Sequence, residues 1–194
     1  MPSIAPEARP PTARATLATP TGLGRLVGLV RALAVLGAAS LLLLPPLFWA
    51  NPTWLRLAAP AAAGLDSSQV TIDAQAQWLG LAGSLPGVAL GLWSLWQLWC
   101  LFGEYGAGRV FGLAAQQRLA GLARGLLVLA LWGPLQRMLI GLALTWGNPP
   151  GQRMLVLGLG WHDYLALVSG AVLLAVATVM AEAARLADEN AGFV

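Results

Sequence analysis

The 194-residue sequence is far more apolar than that of an ordinary soluble domain. Hydrophobic residues make up 58% and charged residues 10% of the chain, and all eleven basic residues are arginines. Soluble domains carry about 25% charged residues, so this composition excludes that class and indicates a membrane protein. The formal net charge of +3 comes from arginines scattered around apolar segments, so we expect no direct nucleic-acid binding.

Four apolar segments follow a polar N-terminal tail. Residues 1–24 lack apolar periodicity and predict a disordered cytoplasmic tail. The apolar segments lie at about 26–49, 77–102, 119–146 and 164–185. Each can cross a hydrocarbon core of about 30 Å at 1.5 Å per residue. We predict an all-α membrane protein with a bundle of four transmembrane helices over residues 25–194. A cleaved signal peptide is the alternative for the first segment, and we favour an uncleaved helix because the run is long.

Arginine placement predicts the orientation in the membrane. Eight arginines lie in the tail, at the start of the first helix, in or beside the connection 103–118, or at the end of the fourth helix: Arg9, Arg14, Arg25, Arg31, Arg109, Arg118, Arg124 and Arg185. Only Arg56 and Arg153 lie on the other side. Because arginines favour the cytoplasmic side, both termini and this connection are predicted to be cytoplasmic, in a multi-pass protein of the bacterial inner membrane.

The two outer connections have β-like patterns. SQVTIDAQ, residues 68–75, alternates apolar and polar positions, and RMLVLGLG, residues 153–160, is a short β-prone run after a turn. We expect short extended β segments in both loops, with antiparallel pairing as one arrangement.

The second apolar segment has a face of small residues at four-residue spacing: Gly83, Gly87 and Gly91. Small residues let helices approach closely in lipid, so we assign these glycines to helix packing, with a ligand groove as the alternative. Gln97 lies further along in a stripe with two tryptophans and Cys100. A packed aromatic seam explains that stripe better than a cofactor site.

Arg137 is the candidate that stands out in the third segment. Counting back nine residues from Trp146 puts it about 13 Å below the outer interface, near mid-bilayer. A charge at that depth is a functional hypothesis by default. The structural alternative is that Arg137 extends outward and pairs with Asp73 or Asp163.

No residue pattern indicates catalysis or a bound cofactor. His162 is the only histidine and Cys100 the only cysteine, which leaves no metal-ligand or nucleophile constellation. Asp163 is better explained as a helix cap. GEYGAG, residues 103–108, follows a spanning helix and not a strand, so it is no phosphate loop. We expect no enzymatic activity, no cofactor and no metal.

The charged connection suggests a family. The order of LFGEYGAGRVF and RLAGLARG, with the ending VMAEAARLADENAGFV, resembles the bacterial domain-of-unknown-function 2975 family of small four-span membrane proteins. The likeness covers about residues 25–194 and implies fold and location. That family has no assigned activity. Some members are encoded beside small helix-turn-helix regulators, which implies a signalling partner.

Two functions follow as expectations. The first is a non-enzymatic membrane protein that binds a cytoplasmic protein partner through the connection 103–118, where Glu104, Arg109 and Arg118 lie, and through the C-terminal helix. The alternative is a small transporter or channel subunit that acts as a homo-oligomer around Arg137. In that case the glycine face of the second helix would supply the contact between copies.

Overall fold

The computed structural model describes residues 21–65, 70–149, 151–155 and 157–191, and the first twenty residues of the predicted tail lie outside these ranges. The described chain forms five helices: α1 Thr21–Ala50, α2 Pro52–Ala63, α3 Ala74–Gly106, α4 Leu113–Thr145 and α5 Trp161–Ala191. By length and composition α1, α3, α4 and α5 can each cross a membrane. The predicted all-α class with four span-like helices is confirmed. Residues 21–24 belong to α1 and not to the tail.

The four long helices form an open row. Helix α1 packs on α3, α3 on α4 and α4 on α5, whereas α1 and α5 have no comparable contact within the described ranges. The two edge helices, α1 and α5, can expose their other faces to lipid, because lipid solvates apolar side chains as well as a packed neighbour would.

The glycines of α3 are covered by the protein's own side chains. Gly83 and Gly87 face α4, and the side chain of Gln136 fills the space beside Gly87. Gly91 faces α1, where a Cβ atom would lie 2.8 Å from a methyl carbon of Leu41. The face therefore serves contacts within one chain, as small residues in membrane helices commonly do.

A hydrophobic core closes the end of the row at which α1 ends and α3 begins. Its buried residues are Trp49, Leu55, Leu65 and Leu144. The indole N–H of Trp49 donates to the hydroxyl oxygen of Ser84 on α3 at 3.0 Å, so the one polar atom of this ring is satisfied. This core ties α1, α2, α3 and α4 together at what we predict to be the outer surface.

The short helix α2 was not predicted from the sequence. Asn51 caps it: the side-chain oxygen accepts from the backbone amides of Thr53 at 3.0 Å and Trp54 at 3.3 Å. Pro52 is its first residue, where the missing amide proton costs nothing. An Asn-Pro pair is a recognised helix start, so the sequence did contain the signal.

The predicted β segments are wrong for the described residues, among which there is no strand. Both outer segments instead bond to the end of α4. The amide of Thr71 donates to the carbonyl of Leu144 at 2.9 Å, and the amide of Met154 donates to the hydroxyl oxygen of Thr145 at 3.2 Å. The last carbonyls of a helix lack partners within it, so the end of α4 offers an acceptor that competes with strand pairing. Residues 68, 69 and 156 of the two segments lie outside the described ranges.

Helix α2 provides a matched test of the core. Leu55 is 0% exposed and Leu57 is 78% exposed on the same helix. We expect Leu55→Ala to lower the free energy of unfolding by about 2–5 kcal/mol, because it leaves a cavity. Leu57→Ala should change it by no more than about 0.5 kcal/mol. Denaturant unfolding in detergent micelles, followed by tryptophan fluorescence, measures both. Equal effects would contradict the packing of α2 against the core.

Candidate functional site

Arg137 is paired and hydrogen-bonded. Its guanidinium donates to the carboxylate of Asp163, and Nε and Nη2 both donate to the carbonyl oxygen of Gly158, at 3.1 and 2.7 Å. The side chains of Arg137 and Asp163 are 28% and 8% exposed. Asp73, the other candidate partner, instead caps α3 by accepting from the amide of Ala76. Arg137 thus takes one of the two pairings considered for it, and we call it, with Asp163 and the Gly158 carbonyl, the Arg137 cluster.

Local sequence explains why Asp163 can reach Arg137. Asp163 is the third residue of α5, and its carboxylate also accepts from the amide of Gly160, just before the helix, at 2.7 Å. This is one half of a capping box, so the carboxylate both caps α5 and binds the guanidinium. Gly133 on α4 leaves the space that the carboxylate occupies, since a Cβ atom there would overlap it. The cluster joins α4, α5 and the loop between them.

In the Arg137 cluster the negative charge of the Asp163 carboxylate offsets the positive charge of the guanidinium. Two of the three guanidinium nitrogens are engaged, and the buried carboxylate has two donors. A cavity of about 390 Å³ lies beside Asp163, lined largely by apolar side chains such as Leu131 and Leu167. This pair, with a half-buried arginine and a buried carboxylate, positions the elements that carry it, and breaking it leaves the buried carboxylate unpaired, which is costly.

Glu104 and Arg109 pair at the opposite end of the row. Arg109 Nε lies 2.7 Å from the Glu104 carboxylate, and the backbone amides of Ala107 and Arg109 donate to the carbonyl of Glu104. Gly108, at φ +76°, allows this turn. The hydrogen bond that Arg109 donates to the Glu104 carboxylate, together with the negative charge of that carboxylate, raises the pKa of Arg109 above its ordinary value. The turn 107–112 therefore holds a charged, exposed arginine in one position.

Gln97 and Arg118 connect α3 to α4 nearer the membrane interior. Arg118 Nη1 donates to the side-chain oxygen of Gln97 at 3.0 Å. Gln97 is buried and lies against Gly121, where a Cβ atom would be 2.6 Å from its amide nitrogen. The five candidate residues thus occupy three separate places. Arg137 lies in the second half of α4, whereas the other four form two pairs near the turn 107–112.

Sequence reasoning missed a glutamine that joins the turn to α5. The side-chain amide of Gln116 donates to the carbonyl oxygens of Phe111 at 3.1 Å and Met180 at 3.4 Å. Gln116 is buried. The sequence feature that could have indicated this contact is the polar pair Gln116 and Gln117 at the start of a long apolar helix. Because a buried amide needs partners, this position already indicated a contact.

A cavity of about 450 Å³ between α1, α3 and α4 was also missed. Most of its lining is apolar, and Ser84 and Gln136 are its polar side chains. The indole nitrogen of Trp132 is buried without a hydrogen-bond partner in the described chain. Among the described residues no three His, Cys, Asp or Glu side chains come together as a metal site would require.

Comparison with known families gives the assignment. Residues 61–192 match the model of the family described as a protein of unknown function, DUF2975. The chain belongs to this family. The match contains α3, α4 and α5 with the Arg137 cluster and both pairs near the turn, and it confirms the resemblance. It begins later than the expected residue 25, so α1 lies outside it. No curated protein and no solved structure matches this DUF2975 chain.

The Arg137 cluster can be tested by a double-mutant cycle. Arg137→Leu should lower the free energy of unfolding by about 3–5 kcal/mol, because it leaves the Asp163 carboxylate buried and unpaired. Adding Asp163→Asn removes that charge and should recover about 2–3 kcal/mol through the coupling of the two sites. Denaturant unfolding in micelles measures Arg137→Leu, Asp163→Asn and the double variant, which together close the cycle.

Arg56→Leu serves as the control for that cycle. Arg56 is an exposed arginine outside the cluster, so its loss should change the free energy of unfolding by no more than about 0.5 kcal/mol. Additive effects of the two cluster substitutions would show that Arg137 and Asp163 do not stabilise each other.

Proposed function

We propose that this DUF2975 protein is a non-enzymatic, multi-pass protein of the bacterial inner membrane that binds a cytoplasmic protein. The partner-binding surface consists of the turn 107–112, the start of α4 and the last part of α5, and we call it the turn surface. The observation that carries the proposal is a difference in exposure: the Arg137–Asp163 pair inside a span is largely shielded, whereas Arg109 at the turn and Arg185 at the end of α5 are exposed.

The turn surface combines charge with exposed apolar side chains. Phe111 is 77% and Leu113 is 70% exposed, directly after the exposed Arg109. Large apolar residues beside charged ones are typical of surfaces that bind other proteins. On α5, Arg185 pairs with Glu182 at 2.6 Å and lies 3.9 Å from Glu189. Such pairs support a helix that continues beyond the hydrocarbon core.

The alternative function, a transporter or channel subunit around Arg137, has weaker support. Transport would require the guanidinium to exchange its partners for a substrate, and Asp163 and the Gly158 carbonyl already satisfy it. The glycine face that would join copies is filled within the chain. A solute flux into liposomes that is lost with Arg137→Leu and Asp163→Asn combined would favour that alternative over partner binding.

The cytoplasmic position of the turn surface is the first part to test. In a Cys100→Ser background, single cysteines replace Arg109 and Leu157. We expect a membrane-impermeant maleimide to label Leu157→Cys on intact spheroplasts and Arg109→Cys only after the membrane is opened, because arginines favour the cytoplasmic side. The reverse labelling pattern would place the turn surface outside the cell and end this proposal.

Partner binding is tested by photo-crosslinking in cells. A photoreactive residue at Phe111 should give one defined adduct with another protein, and the matched exposed position Leu159, which is 85% exposed at the opposite end, should not. Arg109→Ala should reduce the adduct several-fold, because rim charges contribute to association. The same adducts from both positions, or none from Phe111, would argue against a specific partner at this surface.

A further inference from the structure

Arg31 of α1 has a buried donor without an acceptor. Its guanidinium carbon lies 4.3 Å from the ring centre of Trp99 on α3, and Nη2 would lie 3.1 Å from a Cβ atom at Gly103. Its Nε atom is buried and has no hydrogen-bond partner, and none of the ion pairs among the described residues includes Arg31. A buried, charged donor that lacks an acceptor is costly. The guanidinium charge, which no described carboxylate offsets, favours an anionic ligand at the nitrogens that are not buried.

An apolar groove begins beside the same tryptophan. The groove has a volume of about 360 Å³ and lies between α1 and α3, with Trp99 at one end. Helix α1 lines it with Ala34, Val35 and Ala38, and α3 lines it with Leu92 and Trp96 among others. Val35 and Trp96 are both more than half exposed, so the groove opens laterally toward lipid.

The depth of Arg31 corresponds to the headgroup layer. Eighteen residues separate Arg31 from Trp49, which at 1.5 Å per residue is about 27 Å along α1. Since the hydrocarbon core is about 30 Å thick and Trp49 lies at the opposite end, Arg31 is at the boundary on the side of the turn surface. On α1 the groove lining runs from Ala34 to Ala38, about 6 Å toward the membrane centre, and Arg31 lies one helical turn before it.

We propose that the groove between α1 and α3 binds one anionic phospholipid. The lipid phosphate accepts hydrogen bonds from the Nη nitrogens of the half-buried Arg31, which are not among its buried atoms, and an acyl chain lies along Ala34, Ala38 and Leu92. Arginine binds phosphate through a planar fork of donors, and Trp99 holds that fork in place by stacking. Basic pockets between membrane helices are a known means of holding anionic headgroups.

Among the described residues no carboxylate pairs with Arg31, which selects against zwitterionic lipid. The ammonium group of such a lipid would have no acidic partner there and would lie close to the arginine, whereas a headgroup with net negative charge is attracted as a whole. This site is independent of the proposed protein partner, because it faces lipid and includes α1, which lies outside the matched family region.

Native mass spectrometry of the purified full chain tests the lipid site. The protein is incubated with phosphatidylglycerol and phosphatidylcholine of equal chain length in one mild detergent. We expect the wild type to retain phosphatidylglycerol about tenfold more than phosphatidylcholine, and Arg31→Gln to lose most of that preference, as one charge-assisted contact would give. Ala38→Phe, which fills the groove, should lower the retention of both lipids.

Arg25→Gln is the matched control, since Arg25 is an exposed arginine on the same helix and the substitution removes the same charge. It should leave the preference intact. An equal loss in Arg25→Gln, or no preference in the wild type, would overturn the proposal whether or not the Arg31 variant folds. Glycerol phosphate, which has no acyl chain, should not compete; effective competition would identify a site for a free phosphate ester and also overturn it.

Discussion

The ion pair between Arg137 and Asp163 holds the start of α5 against α4, and α5 is joined to the rest of the row through α4. Within the described ranges helix α5 packs extensively only on α4, so its contacts with α4 set its rotation and height. In lipid there is little hydrophobic drive between helices, which leaves polar contacts and close packing to do this. At the other end of α5 the amide of Gln116 donates to Met180, and midway Gly170 lies against the backbone of Ala123. Three points of contact along one helix define its register.

Several glycines in this protein share one role, in which each leaves space for a large or polar side chain from a neighbouring helix. Gly80 lies under the ring of Trp49, Gly121 under Gln97, and Gly133 under Asp163. A side chain at any of these positions would displace a group that makes a hydrogen bond. Helix contacts here thus combine the close approach common in membranes with polar groups that would otherwise be costly in lipid.

Much of the fold could be predicted from the sequence because the length of an apolar run is a direct signal of a spanning helix. The open row of helices could not be predicted, because a residue that faces lipid and a residue that packs on a neighbouring helix are equally apolar. The partner of Arg137 was one of two candidates because the aspartates at both outer helix starts looked alike, and only the geometry of Gly133 and Gly160 distinguishes them. The prediction of β segments at 68–75 and 153–160 was wrong because an eight-residue pattern carries no information about the hydrogen-bond acceptors at the end of α4.

The lengths of α3 and α4 have a consequence for the membrane itself. Each has 33 residues, about 50 Å at 1.5 Å per residue, against a hydrocarbon core of about 30 Å. The surplus is accommodated by tilt and by helical stems that stand beyond the core. Because the turn 107–112 joins these two helices, its height above the bilayer follows their tilt. Bilayer thickness, and with it lipid chain length, therefore sets how far the exposed Arg109 and Phe111 stand from the headgroups.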